Sequence, residues 1–466
     1  MNARIPIVAA ALCVAVTACG TADVASPGTT DGGPASTSTT TPSTTPSAGG
    51  WIGGEPDWTM VAAEGELLAA APMSAAADGA VAEMAAEATA APAGTGPVAP
   101  TVPGQPPIEG TLRAGSVDDN LGFDDYLAYR ARIAGLGIPL RGGDPSGRVV
   151  VSVTGADGHP VHGAVVSVSD GSGSEVAALT TTADGTARFL PAMWSQPVDG
   201  TWTFAVAGAT VSASAGSTAD LTIDQPGAVE APVALDVLFL LDATGSMSDE
   251  IDRLKTSIDS VAARVAALEG SPDVRLAMTV YRDEGDAFVT RTYDFTSDVD
   301  AFRAALAEVV ADGGGDYHEA LDEAFAEAVD APSWRDPATT LQLMFLVADA
   351  PPHVERQVTG YDLTIGSAVS RGIKVFPVAS SESDDQAEAV FRQIAQATGA
   401  RFVFLSYGAG GAATGPSTDI DSTDYEELAL DDLVVRLIAE EVAALTGDAG
   451  VVPPPTPTTT TIPPQQ

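Results

Sequence analysis

The chain has 466 residues, 45% of them apolar and only 6% aromatic, with 21 Lys plus Arg against 63 Asp plus Glu, a formal net charge of −42. That length holds two or three domains with linkers between them. The acidity excludes nucleic acid as a partner, because no basic face can be assembled to meet a phosphate backbone; it also disfavours adsorption to anionic lipid and attracts cations.

Both cysteines, Cys13 and Cys19, fall in the first twenty residues. Arg4 gives a positive start, Ile5 to Val16 is an apolar run and small residues follow, the layout of a secretory signal peptide. The run ends in Val16-Thr17-Ala18-Cys19-Gly20, which resembles the lipobox of bacterial lipoproteins. The resemblance implies removal of residues 1–18 and diacylation of the Cys19 sulfur. Two acyl chains hold a protein on a membrane where one is marginal, each buried CH₂ adding about 0.8 kcal/mol. An ordinary cleaved signal with incidental cysteines reads the same residues differently. The expected location is the bacterial cell envelope, extracytoplasmic and lipid-anchored, with neither a disulfide nor a catalytic thiol in the processed chain. Residues 19–110 are expected to be a disordered stalk. The segment 21–50 is mostly Ser, Thr, Pro and Gly, and 51–110 is rich in Ala and Pro, with room for a short helix at Val81 to Thr89. Residues 448–466 form a similar tail. No later run approaches the ~18–20 apolar residues of a spanning helix.

Residues 111–146 predict a helical lead-in, with Phe123, Tyr126, Leu127, Arg130 and Ile133 on one face. From 147 to 225 the apolar period becomes two. Seven short strand-like runs, with Asp-Gly turn pairs at 157–158 and 184–185, predict a small all-β sandwich. The stretches VTGADGHPVHGAVVSV and TTTADGTARFLP resemble the carboxypeptidase-regulatory (transthyretin-like) sandwich family, which implies a spacer or binding module without catalysis of its own. His159 and His162 invite a metal reading, but two ligands do not make a site, and HPVH equally decorates a hairpin loop.

From 232 to 447 strands and helices alternate. VALDVLFLLD and LQLMFLVAD are near-continuous apolar strands, as expected when both faces of a parallel sheet are covered. Helices are predicted from Ser248 to Leu268, at 298–311, 317–330, 362–371 and 384–397, and from Tyr425 to Leu445, and further strands at VRLAMTVYRD, FVTRTYDFT, IKVFPVAS and ARFVFLS. The fold class is an α/β doubly wound, Rossmann-like sheet preceded by the sandwich. Ligands of such sheets collect beyond the carboxyl ends of the strands.

The first buried strand ends in Asp242-Ala243-Thr244-Gly245-Ser246, and the later one in Ala348-Asp349-Ala350-Pro351. A carboxylate and two hydroxyls at alternate positions of one loop, with a second carboxylate from another strand end, form an oxygen-only donor set. Such a set suits Mg²⁺, Mn²⁺ or Ca²⁺. The same DATGS segment could instead serve as a helix N-cap and turn. The motif resembles the metal-ion-dependent adhesion site of von Willebrand factor A-type domains, D-x-S/T-x-S followed by a Thr and then an Asp. The resemblance implies Asp242, Thr244, Ser246 and Asp349 as metal ligands. The middle Thr is missing: no Ser or Thr occurs between Ser297 and Ser333, and the span holds Gly313-Gly314-Gly315-Asp316-Tyr317-His318-Glu319 instead. Asp316 is the expected replacement ligand, opening the next helix, where it could equally be only an N-cap. A third carboxylate would tighten cation binding and make the metal less electrophilic toward an acidic group of a partner. His318 and His353 lie near the site as polar loop residues. The pairs Asp118-Asp119, Asp384-Asp385 and Asp431-Asp432 read as solvated charge.

No G-x-S-x-G, Walker-type loop or H-E-x-x-H occurs, so no enzymatic activity is expected. The expected function is cation-dependent binding of an unidentified protein partner. The alternatives are an accessory subunit of a metal- or ATP-dependent envelope complex, as the family also implies, or a cation-independent structural module. Residues 232–447 hold 39 Asp plus Glu against 14 Lys plus Arg, a net of −25, so most of the acidity belongs to the segment with the proposed cation site.

Overall fold

The computed structural model describes residues 112–229, 232–268, 272–356, 359–380, 383–406 and 428–447. The leader, the lipidation candidate Cys19, the stalk with its short helix, and the tail lie outside the described residues. In chain order the elements are β1 (Arg113–Val117), α1 (Phe123–Leu136), β2 (Val149–Gly155), β3 (Val165–Ser169), β4 (Glu175–Thr180), β5 (Thr186–Phe189), β6 (Thr201–Val206), β7 (Ala209–Ser214), β8 (Thr218–Ile223), β9 (Ala234–Asp242), α2 (Ile251–Val265), β10 (Asp273–Tyr281), β11 (Thr290–Thr296), α3 (Val299–Ala307), α4 (Leu321–Asp330), β12 (Thr340–Ala348), α5 (Tyr361–Arg371), β13 (Lys374–Ala379), α6 (Asp385–Thr398), β14 (Phe402–Ser406), β15 (Leu428–Ala429) and α7 (Leu430–Thr446).

The main sheet runs β11-β10-β9-β12-β13-β14-β1-β15. Strands β10, β9, β12, β13 and β14 are parallel, while β11 and β1 join antiparallel. Every residue of β12 and all but the first of β9 is buried, which requires helices over both faces. One group is α2 with α3 and α7, the other α4, α5 and α6. Helix α2 shows why these segments are helical: Ile251, Leu254, Ile258, Val261 and Val265 recur at three- and four-residue spacing and form its buried stripe.

Two features differ from the sequence reading. The lead-in is more than a helix, for β1 pairs with β14 from Arg113↔Ser406 to Val117↔Phe402. RAGSV carries no strand pattern because its place is fixed by backbone pairing more than by apolar side chains. Asp119, read as solvated, is buried after β1, where both of its oxygens accept from Arg392 at 2.9 and 2.6 Å. Arg392 also donates to Glu388 at 3.0 Å and lies over the Tyr129 ring at 3.8 Å. A buried carboxylate persists only when paired in this way. Of the other two acidic pairs, Asp384 caps α6 and Asp431 accepts from Arg264.

All seven expected sandwich strands form, in two sheets ordered β5-β2-β8 and β4-β3-β6-β7. Phe189 of β5 meets Trp202 and Phe204 of β6 edge-on across the core. In the chain the sandwich sits between α1 and β9, inside the α/β domain. It is fastened there by Thr180 Oγ1 donating to the Ser370 carbonyl (2.6 Å), Ser370 Oγ donating to the Ala178 carbonyl (2.8 Å), and His162 Nε2 against the Thr340 carbonyl (3.1 Å). His162 is thus a buried seam residue whose pKa burial lowers, while His159 is exposed.

Candidate metal centre

The chain moves outward from β9 to β10 on one side and to β12 on the other, so the sheet changes direction between β9 and β12. Asp242 is the last residue of β9 and Asp349 follows the last residue of β12. The register Val347↔Leu241 sets Asp349 one residue beyond Asp242 on the neighbouring strand. Both carboxylates are buried.

After β9 the loop turns so that its own donors collect on Asp242. Thr244 N and Oγ1 both donate to Asp242 Oδ1, at 2.9 and 2.7 Å, and Ser246 Oγ lies 3.1 Å from Thr244 Oγ1. On the far side the Tyr281 hydroxyl, from the end of β10, donates to Asp242 Oδ2 at 2.9 Å. The glycine loop packs directly on this turn. Gly245 N donates to the Gly313 carbonyl at 3.0 Å, and a Cβ on Gly245 would meet that oxygen at 2.8 Å. Gly313 and Gly314 have φ of 84° and 76°, left-handed values that favour glycine. Beyond them Asp316 stays exposed, while Glu319 is buried beside the Thr244 turn. Glu319 is held by a bridge to Pro352, its N–H donating to the Pro351 carbonyl at 3.2 Å, and is 3% exposed.

Asp316 neither opens α4, whose N-cap is Ala320, nor is buried. Its carboxylate is 66% exposed, with Oδ1 3.9 Å from His353 Nε2. The first turn expected at 317–330 is absent because residues 317–320 are extended or bent toward Pro352.

The electrostatics follow from that crowding. Burial, then repulsion from Asp242, Asp283 and Asp349, pushes the Glu319 carboxyl up to about 9. Burial and Asp349 push Asp242 up to about 7, against hydrogen bonds from Thr244 and Tyr281 that lower it. Tyr281 is raised well above the ordinary phenol value by burial and by Asp242. Among the described residues no salt bridge reaches Asp242 or Glu319, and Glu319 Oε2 is buried without a hydrogen-bond partner. A buried anion cluster with an orphaned oxygen is the setting a divalent cation fits, since its charge offsets both burial and repulsion. Asp242, Thr244, Ser246 and Asp349 offer hard oxygen donors on one loop and the neighbouring strand end, with the Glu319 carboxyl buried near them.

Compared with known protein families, residues 236–407 match the von Willebrand factor type A domain. That segment is a von Willebrand factor type A domain. No match was found among curated proteins. The A domain found by comparison begins within β9 and ends just after β14, so β1, α1 and α7 complete it from outside the matched span.

Beside the A domain's central cluster lies a second group. Asp283, just after β10, is buried, with Oδ1 3.5 Å from Nε2 of the buried His353. The His353 ring stacks on that of His318 at 5.5 Å. Sequence reasoning missed both Glu319 and Asp283. The available signal was positional: Asp283 ends the VRLAMTVYRD run, at the same sheet edge as Asp242 and Asp349.

Proposed function

We propose that the A domain binds a divalent cation, Mg²⁺, Mn²⁺ or Ca²⁺, at Asp242, Thr244, Ser246, Glu319 and Asp349, and that the surrounding rim docks another protein. The observation that carries this reading is the buried Glu319 carboxyl, orphaned at one oxygen and crowded by Asp242, Asp283 and Asp349. Tyr281 and the Thr244 amide and hydroxyl hold Asp242 in one orientation, and Gly313 and Gly314 let Glu319 reach the turn. A bound cation supplies a positive centre that accepts an oxygen donor from a partner or from water. With three carboxylates around it the charge is more than neutralised, so the cation's role is weighted toward ordering the loops that form the rim. Asp316, exposed at that rim, takes no part in the central cluster on this reading. The protein acts by binding, not catalysis.

We further propose that residues 1–18 are removed, that Cys19 is lipidated, and that 19–110 holds the folded part away from a bacterial membrane on its outer side. The supports are the run ending in Val16-Thr17-Ala18-Cys19 and the Ser/Thr/Pro composition that follows. Among the described residues no helix is long and apolar enough to cross a membrane. The sandwich, similar in its turn sequences to carboxypeptidase-regulatory modules, serves as a spacer or binding module fastened to the A domain. The functional test is retention of envelope proteins on the immobilised chain. We expect proteins that are captured in Mg²⁺ or Ca²⁺ and released by EDTA, and that an Asp242→Asn chain does not capture. Identical capture with cation and with EDTA would contradict the proposal.

A further inference from the structure

Three residues outside the central cluster point at one position. His353 Nε2 faces Asp283 Oδ1 at 3.5 Å and Asp316 Oδ1 at 3.9 Å, and the three ligand atoms lie within 4.8 Å of one another. Asp283 Oδ1 is buried with no hydrogen-bond partner, and the His353 ring is buried. The imidazole tautomer follows from its neighbours. On one side His353 Nδ1 meets Glu355 Oε1 at 3.2 Å, so Nδ1 carries the proton and donates it to a carboxylate. On the other, Arg356 Nη2 stands 2.8 Å from Nε2, which demands a lone pair there, because two cations would not sit at that distance. A histidine with a carboxylate on Nδ1 and two further carboxylates within 4 Å of Nε2 has the outer-shell arrangement usual for a metal-ligating histidine.

We propose that Asp283, Asp316 and His353 form a second cation site, one that takes a divalent transition metal of the Zn²⁺ type. The imidazole sets the preference. An all-oxygen set suits Mg²⁺ or Ca²⁺, whereas one nitrogen with two carboxylates is a three-ligand set that zinc accepts, leaving room for water or a partner's group. Arg356, with Nη2 on His353 Nε2 and Nη1 on Glu284 at 3.1 Å, competes for the same nitrogen, and zinc binding displaces its guanidinium from Nε2. Asp316, exposed at 66%, closes the site from the solvent side. The glycines that bring Glu319 to the central cluster therefore also set Asp316 over this one. The site does not depend on the central cluster holding a cation.

Zn²⁺ is titrated into the EDTA-stripped full chain, with Asp242→Asn as the background that silences the central cluster. The Asp242→Asn chain is expected to keep a Zn²⁺ isotherm, and adding His353→Gln to weaken it at least tenfold. Glu355 is 64% exposed, so Glu355→Gln leaves the fold intact; losing the carboxylate that orients the ring should weaken Zn²⁺ about tenfold. Arg356→Ala removes the competing cation and should bind Zn²⁺ at least as tightly as the parent. The proposal is overturned if the Asp242→Asn chain gives no Zn²⁺ heat above the buffer blank, or if Glu355→Gln and His353→Gln both leave affinity and stoichiometry unchanged. It is also overturned if Arg356→Ala loses the isotherm. Loss of Mg²⁺ binding in Asp242→Asn with Zn²⁺ binding intact keeps the two sites separate.

Discussion

Glu319 is the residue on which the chemistry of the central cluster turns. Its carboxyl, ordinarily titrating at 4.5, is pushed up to about 9 by burial and by Asp242, Asp283 and Asp349. In cation-free protein the folded state therefore binds more protons than the unfolded state between those values. Stability is full below pH 4.5 and falls as pH rises toward 9; Asp242, raised to about 7, adds to the fall over its own range. We predict that in EDTA the melting temperature drops between pH 5 and pH 8.5, and that Glu319→Gln flattens the drop. A loss of about 1–2 kcal/mol corresponds to about 2–8 °C, and saturating Mg²⁺ should offset it. Thermal melts at the two pH values check this; equal slopes for parent and variant would contradict it. Asp242, Thr244 and Ser246 were legible in the sequence because they share one short turn after an unmistakable buried strand. Asp349 was legible because it too directly follows a continuous buried strand. Glu319 was not, because the loop before α4 has no apolar period, and Asp316 is the first carboxylate after the glycines. Which of two acids three residues apart enters the cluster is decided by the single bridge of Glu319 to Pro352, which leaves no trace in composition or spacing.

At the scale of elements, most of the α/β pattern could be read because β9 and β12 are buried on both faces and α2 carries a regular stripe. Strand β1 escaped notice: RAGSV has little to bury, and its partner β14 is nearly 300 positions away. That strand and α1 anchor the segment preceding the sandwich, with Tyr126, Tyr129 and Ile133 packed against Ala389 of α6 and Asp119 bound to Arg392. A chain beginning at residue 232 would leave the β14 edge unpaired. We expect it to melt lower than one beginning at residue 112, or to associate, as read by thermal unfolding and size-exclusion chromatography. Equal stability of the two would show β1 to be dispensable. Arg392→Ala would strand Asp119 and Glu388 as buried carboxylates. Loss of such a pairing costs about 3–5 kcal/mol, measurable by denaturant unfolding; a cost under about 1 kcal/mol would mean that water reaches the pair.

For the molecule as a whole, the acidity is best understood where it is concentrated. The segment 232–447 carries a net of −25 and also the sheet edge where Asp242 and Asp349 are buried, so its field favours cations near that domain. Monovalent salt screens that field and should weaken divalent binding while stabilising the cation-free protein. The most direct measurement is a calorimetric titration of Mg²⁺ or Mn²⁺ into the EDTA-stripped full chain and its Asp242→Asn variant. The account predicts saturable binding to the parent that is lost, or weakened at least a hundredfold, in the variant, with Glu319→Gln weakened and an Asp316→Asn chain still binding at the central cluster. Binding that is absent from the parent, or unchanged by Asp242→Asn, would contradict it.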